Sequence, residues 1–310
     1  MVNVPSSVFA GYANTDSGTA FQNLEFFYAN GTVISSWLEN YTSSNALYWI
    51  KLPSVPAETS FTVYLGFAPT STNLLNTVND GEAPQLSPTY AEYDDGANVF
   101  NYYENFAGTS LPSGWTSGAV SGSTITVDNG LTISGDGSSS GSTYVATTSQ
   151  VFNNNEILEG YINQNSGITG YERGLIGIST VNNAEPNWDN GGSSWDTIAG
   201  GSAGKNGAYD LLQSETVLNG AYTYLNSLPS NSDWSIYLVS LSSSNGITTS
   251  VNYGDASLTT SDNPSAPLYI NLGVYNAGGG SSFDQQYQWI RTRAYTPNGV
   301  MPTVSFGSLA

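Results

Sequence analysis

Thr124-Ile125-Thr126-Val127-Asp128-Asn129-Gly130-Leu131-Thr132-Ile133 decides how this chain is read. Apolar and hydroxyl side chains alternate on both sides of an Asn-Gly pair. Alternation with period two puts successive side chains on opposite faces of a strand. Asn-Gly supplies the positive-φ residues that a tight hairpin turn needs. The stretch is therefore a β-hairpin with one apolar face and one face of threonines.

The pattern recurs on both sides. Towards the N-terminus it returns at Glu25 to Tyr28, Ala46 to Leu52 and Ser60 to Phe67. Towards the C-terminus it returns at Glu156 to Ile162, Gly174 to Ser179, Asp233 to Leu241, Ile247 to Tyr253, Leu268 to Val274, Tyr287 to Tyr295 and Thr303 to Phe306. Gly, Pro, Asn and Ser clusters separate these runs. Only Asn73 to Asn79 has helix-like spacing, enough for a single turn, and Ser138-Ser139-Ser140-Gly141-Ser142 is read as a loop. Many short strands between turn signals predict an all-β protein. Tyr90-Ala91-Glu92-Tyr93-Asp94-Asp95-Gly96 is a polar, acidic connector. It divides the chain into residues 1–97, expected to form a small β-sandwich, and residues 98–310, about 200 residues fit for a larger two-sheet jelly roll.

Composition limits the chemistry. Lys51, Lys205, Arg173, Arg291 and Arg293 are the only basic side chains; histidine is absent, Asp plus Glu number 24 and the formal charge is −19. Nucleic acid is excluded as a partner, because phosphates are bound by Lys and Arg, and anionic membranes are excluded on the same ground. With 39% hydrophobic residues, 21 Tyr, 11 Phe and 7 Trp, the chain has the apolar material for a large core. Near pH 2 most carboxylates would be neutral, leaving roughly +6 from five cations and the amino terminus. So few cations suit an acidic surrounding, where a Lys-rich protein repels itself; the other reading is a neutral-pH surface protein with a hydroxyl-rich coat. The absence of cysteine says nothing by itself about redox compartment. No apolar run approaches the ~20 residues of a membrane-spanning helix, so no direct membrane insertion is expected. The start at Met1-Val2-Asn3-Val4-Pro5 shows no leader, and we expect a piece of a longer surface protein.

Two groups of residues carry a family resemblance. Glu25-Phe26-Phe27, Asn30-Gly31-Thr32 and Ser36-Trp37-Leu38-Glu39, then Trp49-Ile50-Lys51-Leu52-Pro53 and Val63-Tyr64-Leu65-Gly66, resemble an uncharacterised domain family of prokaryotic surface proteins that is common in archaea. Asn105-Phe106-Ala107-Gly108-Thr109-Ser110-Leu111-Pro112-Ser113-Gly114-Trp115 resembles the opening of a concanavalin-like jelly roll. Phe283-Asp284 and Tyr287-Gln288-Trp289-Ile290-Arg291-Thr292-Arg293 resemble its closing strand. The resemblance implies a fold and an extracellular, cell-surface location, and no reaction.

Four chemistries bear on these residue types. Concanavalin-like folds include polysaccharide hydrolases, which need two carboxylates about 5 to 9 Å apart. Glu156 and Glu159, three apart on a strand, face opposite ways, and the Glu-x-Asp-x-x-Glu arrangement of such enzymes is absent. No catalytic residue is therefore assigned. Calcium needs six to eight oxygen ligands; Asp94, Asp95, Glu104 and Asp284 flank the first and last strands of the second block and form a candidate site, with Asp189 and Asp196 in a looser second one. Sugar binding needs aromatic faces among a few polar groups. The Gly-rich loop holding Trp188, Asp189, Asn190, Trp195 and Asp196 has that make-up and is the candidate ligand site, whereas Trp49, Trp234 and Trp289 sit in strand patterns and are expected in the core. Self-assembly through strand edges is the fourth, since few Lys residues guard them. Asn30 and Asn40 head glycosylation patterns and are expected on loops. The expected role is thus non-catalytic adhesion or glycan contact at an archaeal cell surface, with glycans or neighbouring surface proteins as partners. A filament or surface-layer subunit is the alternative, and a hydrolase the second alternative.

Overall fold

The computed structural model describes every residue except 17, 19, 56, 57, 137, 166–172, 183–197, 201–211, 219, 220, 229–233, 254, 255, 261, 262, 278–282, 297–299, 309 and 310. Its contacts group the chain into two units, Met1–Tyr103 with Thr296–Ala310, and Glu104–Tyr295. The acidic connector predicts a division at 97/98. Residues 98–103 group with the first unit instead, because the rings of Phe100 and Tyr103 pack edge-on against Trp37 at 5.3 and 6.0 Å.

The first unit contains β1 (Val2–Pro5), α1 (Ser6–Phe9), β2 (Leu24–Phe27), β3 (Ser36–Tyr41), β4 (Asn45–Ile50), β5 (Tyr64–Phe67), β6 (Asp80–Glu82) and α2 (Gly96–Val99). Four strands form one sheet in the order β1-β4-β3-β6, and β2 pairs with β5 in a separate two-stranded ribbon. β6 runs parallel to β3; β1 with β4, β3 with β4 and β2 with β5 are antiparallel. One face of the sheet carries Val2, Val4, Leu38, Ala46 and Tyr48, and Leu24 and Phe26 of the ribbon join them in one buried cluster. Phe26 meets Tyr48 edge-on at 5.2 Å. On the other face Trp37 and Trp49 stand cross-strand from one another and are covered by Phe100. A sheet buried on both faces, with a second small sheet against it, is the small sandwich expected here.

Two local expectations fail. Asn73–Asn79 is not helical: the side chain of Asn73 accepts from the N–H of Leu75, and that of Asn76 from Val78 and Asn79. Such short-range side-chain bonds offer the backbone a turn in place of a helix. Thr303–Phe306 forms no strand, and Val304 and Phe306 are exposed. Alternation there has no neighbouring strand to complete it.

The second unit begins within β7 (Tyr102–Glu104) and continues through β8 (Trp115–Gly118), β9 (Ser123–Val127), β10 (Leu131–Gly135), β11 (Ser140–Thr147), β12 (Glu156–Asn165), β13 (Arg173–Ser179), β14 (Ile198–Gly200), β15 (Leu212–Leu218), β16 (Ala221–Leu228), β17 (Ser235–Ser242), β18 (Gly246–Val251), β19 (Ala256–Thr260), β20 (Tyr269–Ala277) and β21 (Phe283–Ala294). One sheet runs β19-β18-β17-β12-β21-β10-β9, with β7 also paired to β21; the other runs β16-β15-β14-β13-β20-β11-β8. In the first sheet β10 and β12 run antiparallel to β21 and β17 to β12 and β18, in the second β11 and β13 run antiparallel to β20, and the unit is a concanavalin-like two-sheet jelly roll. The hairpin at 124–133 is β9 and β10, with Asn129 and Gly130 both at positive φ. Ser140-Gly141-Ser142 is strand rather than loop, paired with Ala277, Asn276 and Tyr275. Small side chains do not obstruct a backbone ladder, and Tyr144-Val145-Ala146 further along holds the register.

Which way β12 faces decides what the larger sheet can do. A Cβ added at Gly160 would stand 2.8 Å from Ile176 Cδ1 of β13. Leu158, Gly160 and Ile162 therefore face the other sheet, and Ile157, Glu159 and Tyr161 face away from it. In β21 the register passes from Trp289, opposite Tyr161, to Tyr287, opposite Ile162, skipping Gln288. This bulge sends Trp289 outward and Tyr287 inward. Inside, Tyr287 Oη accepts from the N–H of Gly273 in β20 at 3.1 Å and donates to its carbonyl at 3.3 Å. Gly160→Ala is expected to lower stability by about 1–3 kcal/mol through overpacking, read as a lower urea midpoint.

Candidate functional site

The loop candidate of Trp188, Asp189, Asn190, Trp195 and Asp196 lies outside the described residues. The four carboxylates proposed for calcium are divided between the units: Asp94 and Asp95 belong to the first, Glu104 and Asp284 to the second. Asp94 is occupied by neutral donors. Its Oδ1 accepts from Trp37 Nε1 at 2.8 Å and its Oδ2 from Tyr103 Oη at 2.7 Å. Glu104 accepts from the N–H of Phe106 at 3.0 Å and from Trp115 Nε1 at 3.3 Å. Asp284 is half-buried in β21, opposite Ser134 and Asn165. Among the described residues no group of three or more Asp and Glu is arranged to hold a metal ion.

Asn30 is exposed in the turn after β2, where its side chain accepts from the N–H of Thr32. Asn40 is also exposed, yet it lies within β3 rather than on a loop. Of the tryptophans expected in the core, Trp49 and Trp289 are buried, while Trp234 is half-buried just before β17, 5.0 Å from the ring of Tyr161.

The outward face of the larger sheet carries a cluster that pattern reading missed. Glu159 of β12 stands opposite Arg291 of β21. Its Oε2 accepts from Arg291 Nε at 2.6 Å and its Oε1 from Arg293 Nε at 2.8 Å. The Arg291 guanidinium lies 4.5 Å over the Trp289 ring, and Trp289 stacks on Tyr161 at 5.7 Å. Glu159, Arg291 and Trp289 are wholly buried. Burial pushes the Glu159 carboxyl up, but the charges of Arg293 and Arg291 outweigh it and hold the group below the usual carboxylate range. A carboxylate kept ionised between two arginines lacks the proton of a general acid. Glu156, on the opposite face, accepts from the N–H of Asn153 at 2.8 Å. The signal was present in sequence: Arg291 and Arg293 are two of only five cations and share one face of a strand. Glu159→Gln should cost about 3–5 kcal/mol, because it leaves buried guanidinium charge uncompensated; equilibrium unfolding measures it.

The first unit treats its buried acids in the opposite way. Burial raises Asp80 to about 7, against a lowering bond from Ser36 Oγ. Burial likewise raises Glu82 to about 7, with Ser87 Oγ bonded to it at 2.8 Å. Asp95 lies against Gly81 with no hydrogen-bond partner on either oxygen, and burial followed by the Asp94 charge raises it to about 8. The folded state thus holds protons that the unfolded chain has released above about pH 4. Stability from these groups is complete below that value and is lost as pH rises through 7 to 8. The Glu159 pair acts with the opposite sign and weakens only below the ordinary Glu range. We expect thermal unfolding of the intact chain at pH 8 to begin about 5 °C or more below that at pH 5, with the early loss in the first unit; calorimetry at both pH values checks this.

Three kinds of likeness accompany this geometry. Residues 20–83 match the family model described as "Domain of unknown function (DUF2341)", over the stretch whose motifs carried the first resemblance. The chain is 31% identical over 302 residues to "Uncharacterized protein 562" of Sulfolobus islandicus rod-shaped virus 1, covering 88% of this chain and 50% of that protein. It thus spans about half the length of that curated relative. Among solved structures, a putative beta-glucanase from Mycobacterium abscessus matches with a TM-score of 0.45 at 13% identity, covering 63% of this chain and 100% of that one. A Bacillus licheniformis beta-glucanase matches with a TM-score of 0.44 at 14% identity, covering 62% and 96%. A pseudo beta-1,3-glucanase of Mycobacterium tuberculosis matches with a TM-score of 0.44 at 13% identity, covering 63% and 98%. Likeness at this level concerns fold and not reaction.

Proposed function

We propose that this chain is a non-catalytic extracellular module that contacts glycans at a cell surface, in acidic surroundings. One observation carries the reading. On the outward face of the larger sheet, the buried Glu159 carboxylate is locked between Arg291 and Arg293, while Glu156 of the same strand faces the other way. A surface built from Ser, Thr, Asn, Tyr and Gly, with five cations in 310 residues, matches hydroxyl-rich partners and avoids charge repulsion at low pH. Raised carboxyls in the first unit favour the same surroundings. Trp188 and Trp195 supply the stacking faces in this proposal.

A second reading, assembly into a filament or surface layer, is favoured by β9. It lies at the end of the larger sheet's strand order and contains neither Lys nor Pro to discourage strand addition.

Native gels containing soluble polysaccharides test the first reading. The intact chain should be retarded in at least one, Trp188→Ala with Trp195→Ala should weaken that retardation, and no reducing sugar should be released between pH 2 and 7. Absence of binding to every polysaccharide, or sugar release that Glu156→Gln or Glu159→Gln removes, overturns it. Electron microscopy of the concentrated chain decides the second reading, with fibres supporting it and dispersed monomers excluding unaided polymerisation.

A further inference from the structure

The β2–β5 ribbon of the first unit carries an aromatic surface that the reading above does not use. The register sets Phe27 opposite Tyr64 and Glu25 opposite Gly66. Leu24 and Phe26 point into the core, each 1% exposed, so Glu25, Phe27, Tyr64 and Gly66 share the outward face. The rings of Phe27 and Tyr64 lie nearly parallel, 16° apart, with centroids 5.7 Å apart. Gly66 allows this: a Cβ there would stand 2.8 Å from Phe27 Cε1, so the Phe27 ring lies across the space a side chain would fill. Tyr64 is 46% exposed.

We propose that this face is a second carbohydrate-contact site, taking one or two neutral pyranose rings on Phe27 and Tyr64 with Glu25 accepting from their hydroxyls. The proposal rests on the glycan reading but uses residues of the first unit rather than Trp188 and Trp195. A stacked aromatic pair with Tyr64 46% exposed offers the C–H face of a sugar an apolar contact, and a carboxylate on the same sheet face is an acceptor for hydroxyl donors. Size argues against a protein partner. A stable protein interface needs about 800 Å² from each side, whereas a whole aromatic side chain buries about 150–250 Å², and these rings are partly covered already. Charge argues against a second copy or an anionic ligand: the chain carries −19, and Lys51, the only basic side chain within residues 1–103 and 296–310, is bonded to the carbonyl of Asn98.

The experiment is affinity electrophoresis of the intact chain in gels containing a β-1,3-glucan, hydroxyethyl cellulose or a mannan, with a lysine-rich peptide and sedimentation velocity as companions. Tyr64→Ala, at an exposed position, should keep the melting temperature and weaken retardation by about tenfold, the loss of one stacked ring. Tyr64→Phe should restore binding, because the ring face and not the hydroxyl makes the contact. Gly66→Val should also weaken binding by tilting Phe27. If the Trp188→Ala, Trp195→Ala pair abolishes all retardation while Tyr64→Ala leaves it unchanged, this site is refuted and the glycan reading stands. Failure of every polysaccharide to retard the chain refutes both. Should Tyr64→Ala alter only binding of the basic peptide, or only the sedimentation coefficient, the occupant is a protein and the proposal is wrong.

Discussion

With five cations against 24 carboxylates, the buried acids of this chain have to be satisfied almost without positive charge. Two solutions appear. The second unit commits Arg291 and Arg293 to Glu159 and keeps it ionised in a closed, aromatic-lined spot. The first unit uses hydroxyl donors and protons: Ser36 bonds Asp80, Ser87 bonds Glu82, and Asp95 is kept protonated by burial and by the Asp94 charge beside it. The two solutions respond to pH with opposite sign, since one depends on a carboxylate staying charged and the other on carboxyls staying neutral.

The same scarcity shapes what the surfaces can do. General acid–base chemistry on paired carboxylates needs two acids within reach of one substrate. Here Glu156 and Glu159 are divided between the faces of β12, a division set by Gly160 closing against Ile176. The bulge in β21 then delivers Trp289 and Arg291 to the Glu159 face while Tyr287 turns inward to Gly273. Aromatic faces and hydroxyls remain for contact, and the Phe27–Tyr64 pair on its glycine is the clearest instance among the described residues.

Much of the fold was legible in the sequence where alternation was strong. The 124–133 hairpin, β12, β17 and β20 were read close to their observed bounds, since period two has one physical meaning when a face is buried. β11 was hidden by Ser-Gly composition at its start, and β6 by being three residues of Asp, Gly and Glu. β6 exists because Ser36, Trp37 and Leu38 of β3 offer it a parallel ladder, a partner 44 residues away that no local window contains. The helix expected at 73–79 failed because Asn side chains competed for backbone N–H groups.

The sequence by itself determined the class of the fold, the two-block order and the scarcity of cations, because periodicity and charge are properties of composition and local order. Tertiary structure alone decided which face Glu159 occupies, that two arginines meet it, and that Asp80, Glu82 and Asp95 are deeply enough buried to hold protons near neutrality. Those outcomes depend on cross-strand register and on solvent exclusion, and both arise only when residues far apart in the chain come into contact.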